Sequence, residues 1–268
     1  MKYGRHVSIR VGPAGATGVE VKGLTIAFDV FKSIEVKNNK ATVTVYNLSN
    51  PTIDSFFQKD HLLYLYAGYE DPAPLVFSGE ITDVETAREE ADKVTKIECF
   101  NGQSVLKKEK PEISMAPNTS NTDIVQTLVD GMGIQYDVSS LGIEGKAKQG
   151  YSSNGNYEEE LRQILSPLGF EFNLDDAGIQ IFKKNQINLS VEAVVVSNET
   201  GLISGPHAKK KDDKNKVWSF KSLLEPKIFS GGYVVLPNQT GKARVLSVKH
   251  VGDNRDGEAY SEVEVEYV

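Results

Sequence analysis

The side chains that could do chemistry in this sequence are few and poorly grouped. His6, His61, His207 and His250 stand far apart, none with another histidine or a cysteine at the short spacing a metal ion requires. Cys99 is the single cysteine, which excludes an intrachain disulfide and a cysteine-rich zinc site. It lies in Lys96-Ile97-Glu98-Cys99-Phe100 with no histidine close in sequence to polarise it, so a buried strand thiol is expected. Glu158, Glu159 and Glu160 offer the carboxylates a glycosidase needs. They fall, however, in the first turn of an expected helix, where acidic side chains complement the helix dipole. The run Gly12-Pro13-Ala14-Gly15-Ala16-Thr17-Gly18 lacks the lysine of a phosphate loop, and no helix follows it. No Gly-x-Ser-x-Gly elbow supplies a nucleophile. The sequence points to no catalytic residue, no metal and no cofactor.

Two charged stretches remain. Glu262, Glu264 and Glu266 share one strand face, while Val263, Val265 and Tyr267 share the other. A solvated face opposite a core accounts for that pattern; the functional alternative is an acidic stripe lining a channel whose contents must not adhere. The second stretch runs from Gly205 to Lys216 and carries His207, Lys209, Lys210, Lys211 and Lys214. Its lysines could grip phosphate or face another protein, but Asp212 and Asp213 offset them, and a mobile charged loop is expected.

These residues must be positioned by a folded chain. Charged residues make up 25% of the 268 and apolar ones 39%, which excludes an overall disordered composition. A net charge of -7 argues against general attraction to DNA or an anionic membrane. No secretory signal and no apolar window of about 20 residues appears, so a cytoplasm-like compartment and no membrane span are expected.

The elements read as β, then α+β, then β. The organising stretch is Leu24 to Asn50. Leu24, Ile26, Phe28 and Val30 share one parity, as do Ala41, Val43 and Val45, giving two strands around a turn at Lys37-Asn38-Asn39-Lys40. Ser49-Asn50-Pro51 then opens a short helix that turns Ile53, Phe56 and Phe57 to the sheet. Strands follow at Leu62 to Tyr69 and in a long hairpin turning at Glu89-Glu90-Ala91-Asp92. Val94, Ile97 and Phe100 are its expected inward residues, and a parity shift between Val94 and Ile97 suggests a bulge or an early strand end. About six strands in roughly a hundred residues suit a small barrel or a sandwich.

The middle changes character. Ser120 to Asp123 caps a helix carrying Ile124, Val125, Leu128, Val129 and Met132, and a second helix carries Leu161, Ile164, Leu165 and Leu168. Residues 142–156 between them read as a surface loop. A hairpin from Phe170 to Phe182 closes this part. Beyond it, Val191 to Val196 is apolar enough to be buried on both faces, and the end of the chain reads as a meander. The expected domains are therefore 1–102, a first β domain; 103–184, an α+β insert; and 185–268, a second β domain.

Three pieces carry a family likeness: Ile34-Glu35-Val36 through Thr42 to Ser49; Ala67-Gly68-Tyr69 with Leu75-Val76-Phe77-Ser78-Gly79-Glu80-Ile81; and the closing Leu224-Glu225-Pro226, Gly231 to Val235, Arg244-Val245 and Val248 to Asp253. In these the chain resembles the baseplate hub proteins of contractile-tailed bacteriophages, the group that includes the T4 hub protein and the Mu-type late control proteins. The resemblance implies a mainly β fold with two tube-like β-barrel domains and a small α+β insert. It implies a homotrimer whose six barrels adapt a sixfold tail tube to a threefold central spike, without catalysis. The implied partners are further copies of the chain, the tail tube and central spike proteins, with baseplate wedge proteins and the tape measure beyond them. The implied place is the virion tail baseplate, after synthesis in the host cytoplasm, with DNA passing through the lumen and no specific nucleic-acid binding. Two rival readings stand beside it. One is a tail-associated cell-wall hydrolase or its carrier. The other is a ligand-binding module using Tyr64, Tyr66 and Tyr69.

Overall fold

The structure is a computed structural model, and it describes residues 4–34, 39–101, 110–175, 178–183, 192–210, 216–237, 241–255 and 257–267. The chain divides into two compact units, one formed by Met1–Asn101 with Leu189–Val268 and the other by Gly102–Asn188.

The first unit opens with β1 (His6–Gly12), β2 (Val19–Val21), β3 (Ile26–Ser33) and β4 (Lys40–Tyr46), then α1 (Asn50–Phe56). It continues with β5 (Leu62–Gly68), β6 (Leu75–Glu89) and β7 (Asp92–Phe100). The expected hairpin is β3 with β4, paired antiparallel from Ile26 opposite Val45 to Phe31 opposite Lys40. Leu24 precedes the strand, and Lys37 and Asn38 of the expected turn lie outside the described residues. Ser49 caps α1 by accepting from Thr52 N at 3.2 Å, with Pro51 in the first turn. Ile53 and Phe56 pack against the core, and Phe57 is buried in it. The bulge falls on β6 rather than β7. Ile81 faces Cys99 and Asp83 faces Glu98, so Thr82 is the extra residue, and its hydroxyl donates to Glu98 O at 3.1 Å. Between Val94 and Ile97, the place of the expected break, β7 pairs in unbroken register with both β4 and β6; Val94, Thr95, Ile97 and Cys99 are buried, while Phe100 is only half-buried.

In the second unit the short strands are β8 (Ser114–Met115), β9 (Thr119–Ser120), β10 (Lys146–Ala147) and β11 (Tyr151–Ser152). The helices are α2 (Asn121–Gly131) and α3 (Tyr157–Leu165), and a hairpin of β12 (Phe170–Asp175) and β13 (Gly178–Lys183) follows. Both helices bury the stripes expected of them, Ile124, Val125, Leu128 and Val129 on one and Leu161 and Leu165 on the other. Leu168 is the exception, left 37% exposed in the turn past α3. Residues 142–156 are more ordered than a loop, because β10 pairs with β9 and β11 with β8.

The three glutamates of α3 have separate structural tasks. Glu159 completes a capping box with Asn156, and Glu158 pairs with Arg162 Nε at 3.0 Å. Glu160 is buried and accepts from Tyr151 OH at 2.5 Å, Asn154 N at 2.7 Å and Gly155 N at 2.6 Å. Burial alone would raise its pKa, but the three donors outweigh burial and hold the carboxyl below its usual range.

The last strands return to the first unit: β14 (Ala193–Val195), β15 (Leu202–Lys210), β16 (Lys216–Leu223), β17 (Tyr233–Val235), β18 (Ala243–Asp253) and β19 (Tyr260–Tyr267). Two expectations are corrected here. Residues 205–210 are strand, not loop, because β15 pairs with β16. Val195 is 58% exposed, so the run ending at Val196 is not buried on both faces.

β18 is the junction of this unit. One of its edges pairs with β19 along almost its whole length. On the other edge Ala243 and Arg244 pair with β17, and Ser247 to Asp253 pair antiparallel with β3. The first and last β segments therefore share one 13-stranded sheet in the order β15-β16-β19-β18-β3-β4-β7-β6-β5-β1-β2, with β17 and β14 branching from β18. Among the described residues no strand pairing closes either part into the expected barrel. Two apolar cores lie in this unit. One gathers β1 to β7 around Ile9, Leu65, Phe77 and Ile97, and the other gathers β16 to β19 around Phe220, Val234, Val248 and Val265.

Side chains reinforce the junction. Asn254 accepts from Ile26 N at 3.0 Å and donates to Leu24 O at 2.6 Å. Arg5 donates to Arg255 O at 2.5 Å and to Gly257 O. His250 is fully buried on β18, with Nδ1 at 2.8 Å from Ser261 Oγ and Nε2 at 3.0 Å from Ile228 O. Burial first, then the nearby Lys32, push its pKa down to about 3, so the ring is neutral at physiological pH.

Two outcomes test this account. Asn254→Ala leaves a backbone donor and acceptor without their partners and should lower stability by about 1–3 kcal/mol, read from urea unfolding. Glu160→Gln should also destabilise the full chain at neutral pH. The folded-state pKa is depressed, so the stability Glu160 adds is present above the unfolded value of about 4.3 and lost as pH falls through the folded one. The gap between variant and parent in a denaturation series should accordingly shrink on acidification.

Candidate functional site

The charged residues singled out in the sequence meet on the outer face of β15-β16-β19-β18-β3. Period-two alternation puts Val263 and Val265 into the core and Glu262, Glu264 and Glu266 on the opposite face. The neighbouring strands then supply what the sequence reading overlooked, a set of cations in register. Lys221 and Lys249 flank Glu262, one from each side. Ser219 and Ser247 flank Glu264, which pairs with Lys209 Nζ at 2.8 Å and accepts from Ser247 Oγ at 3.3 Å. Glu266 lies opposite Arg244, whose Nη1 is 3.8 Å away.

The surroundings extend the pattern. Lys249 Nζ is 2.8 Å from Asp29 Oδ2 on β3, and the bond to this carboxylate holds the ammonium above its usual pKa against the opposing effect of burial. Lys221 sits 3.5 Å over the Tyr260 ring and 3.2 Å from Glu258. The face is slightly concave, enclosing about 470 Å³ among Phe31, His207, Lys209, Ser219, Lys249 and Glu264.

The three glutamates therefore do not make a uniformly acidic stripe. They are the anionic half of a ladder whose cations come from β15, β16 and β18. Of the expected inter-protein segment, His207 and Lys209 lie in β15 on this face, opposite Ser219 and Val217. Lys210 closes β15 opposite Lys216. Lys211 and Lys214 lie outside the described residues. A signal for the missing cations did exist. Lys221 in β16 and Lys249 in β18 sit at polar places of alternating strands, and only the strand order, which no local pattern reveals, makes them neighbours of Glu262.

Lys209, Lys221 and Lys249 stand partly exposed in this ladder, whereas Arg244 is buried beside a partly exposed Glu266. The ladder offers no isolated acid or base. Among the described residues no three histidine, cysteine, aspartate or glutamate side chains gather into a metal site. Cys99 is fully buried in β7, and burial pushes its thiol up to about 12, so it is inert.

The chain shares its fold with solved tail proteins. It matches the 43 kDa tail protein of prophage MuSo2 from Shewanella oneidensis with a TM-score of 0.65 at 11% identity, over 97% of this chain and 98% of that one. It matches a tail protein from Neisseria meningitidis MC58 with a TM-score of 0.66 at 8% identity, over 98% and 97%. A third match is the E. coli c3393 protein, a component of the type VI secretion system described as similar to the T4 tail proteins gp27 and gp5. It has a TM-score of 0.65 at 9% identity, over 97% of this chain and 76% of that one. No family model and no curated protein matches by sequence.

The ladder makes a direct prediction. Lys249→Glu puts like charges beside Asp29 and Glu262 and should destabilise by about 0.2–1 kcal/mol for each opposed pair. Thermal unfolding at low and high salt checks this, because the loss should diminish as salt screens the repulsion.

Proposed function

We propose that this chain is a structural subunit of a phage-type tail, the hub of its baseplate. In this reading three copies form a ring in which the two β segments of each chain supply two barrel-like lobes, six in all. The ring joins a sixfold tail tube to a threefold central spike. The observation that carries the reading is the end-to-end agreement in fold with phage tail proteins, over nearly the full length of both partners. The shared sheet supports it, since β18 pairing with β3 holds two separate cores in one unit, as a chain contributing two adjacent lobes requires.

The mixed ladder has a place in this scheme. Whether it lines the lumen or meets a tube or spike protein, Glu262, Glu264 and Glu266 are balanced by Lys209, Lys221, Lys249 and Arg244. Such a surface attracts neither DNA nor any other polyanion as a basic face would. No step of this role needs catalysis.

Native mass measurement and particle imaging, on the chain alone and after co-purification with tube and spike proteins, test the proposal. A trimer with a central hole and six lobes is expected. A monomer in both preparations would overturn it.

A further inference from the structure

The glycine-rich run of residues 12–18 and the tyrosines of β5, neither of which the hub role uses, come together on the outer face of β2-β1-β5. Arg10 lies opposite Glu20 on one side and Tyr64 on the other, and Tyr66 lies opposite Ser8. Tyr64 and Tyr66 are two residues apart, so both rings emerge on the face away from the buried Leu63 and Leu65. The loop from β1 to β2 forms a lip beside them. Its course depends on glycine: a Cβ on Gly12 would stand 2.6 Å from Gly18 Cα, and one on Gly18 would stand 2.5 Å from Val11 O. The space enclosed is about 500 Å³, lined by Arg10, Pro13, Glu20, Leu62, Tyr64 and Tyr66. That is within the range of small-ligand sites, about 300–1,000 Å³.

The lining narrows the ligand. Tyr64 is 37% exposed and lines the groove beside Arg10, its register partner on β1. The Arg10 side chain, 61% exposed, lies with its guanidinium 5.2 Å over the Tyr66 ring and Nε 3.4 Å from Glu20 Oε1, with its other N–H donors open to a ligand. Within the lining Arg10 and Glu20 carry no net charge, and Lys22, whose Nζ is 3.5 Å from Glu20 Oε2, stands 76% exposed outside it where solvent screens its charge, so an ionic ligand gains little. A wholly apolar ligand would desolvate the pair without replacing its water. A neutral sugar ring fits both demands. Its C–H face stacks on an aromatic ring, and each of its adjacent hydroxyls can accept from Arg10 and donate to Glu20.

We propose that this groove is a binding site for a neutral saccharide, with Tyr64 as the platform and Arg10 with Glu20 as the polar clamp. The inference is independent of the hub reading, because it concerns the isolated chain.

The test is calorimetric titration of the full chain with maltotriose and with chitotriose, an unsubstituted and an N-acetylated probe. At least one should bind with a dissociation constant on the order of 1 mM. Tyr64→Ala should weaken that binding at least about tenfold, whereas Tyr64→Phe, which keeps the ring, should stay within about threefold. Glu20→Gln, on an exposed edge strand, should also weaken it and gives a second readout if Tyr64→Ala does not fold. Failure of both sugars to bind would overturn the proposal. So would sugar binding that neither Tyr64→Ala nor Glu20→Gln changes, or heat evolved only with a proline-rich peptide used as control.

Discussion

The hydrogen-bonded ladder between β18 and β3 is the constraint on which the first unit rests. Without it each β segment would end in an open edge, β3 for the first and the far half of β18 for the last. Open edges are costly when their backbone groups are shielded from water and hazardous when they are not. The ladder satisfies both at once, and its register is pinned by side chains at one end. Asn254 mimics a continuing strand by bonding on both sides of Thr25, and Arg5 holds the turn beyond it.

Buried polar groups in this unit are satisfied to different degrees: the Tyr267 hydroxyl has no hydrogen-bond partner among the described residues, whereas His250 is fully bonded. His250 lies where β3, β18 and β19 run side by side, and it is tolerated because both ring nitrogens have partners and the ring stays neutral. On the solvent side the charge ladder is of another kind. Its lysine pairs are exposed enough to be screened and contribute little to stability individually, whereas Arg244 is buried beside Glu266 and is not screened in that way. The value of the ladder lies in register, since a one-residue slip of β19 would move its three glutamates into the core and its valines into water.

Local patterns made much of the fold legible. Period-two alternation located β3, β4, β5, β18 and β19, the Ser49-Asn50-Pro51 cap located α1, and helical spacing located α2 and α3. What stayed hidden was non-local. The charged stretch from Gly205 looked like a loop because lysines and a histidine outnumber apolar residues there. An edge strand needs only one partner and can carry charges on both faces, and β15 is such a strand. The bulge at Thr82 was not legible: the parity break between Val94 and Ile97 falls where β7 is regularly paired, and the extra residue lies on β6 opposite Glu98 and Cys99. The acidic row of β19 was legible and its cationic companions were not, since they lie in β15, β16 and β18, and sequence alone does not order strands.

The pairing of β3 with β18 has a consequence for how the chain is made. The bonds from Asn254 to Leu24 and Ile26 span about 230 residues. During synthesis β3 and β4 emerge early, while the partner of β3's second edge arrives only about 230 residues later. Throughout that interval β3 presents an unpaired row of amides and carbonyls, beside Ile26, Phe28 and Val30, to any other nascent chain. Loop closure over so long a separation is also slow. Asp29, on the outward face of β3, then acquires a second meaning: its charge helps keep a waiting edge soluble until β18 comes to cover it.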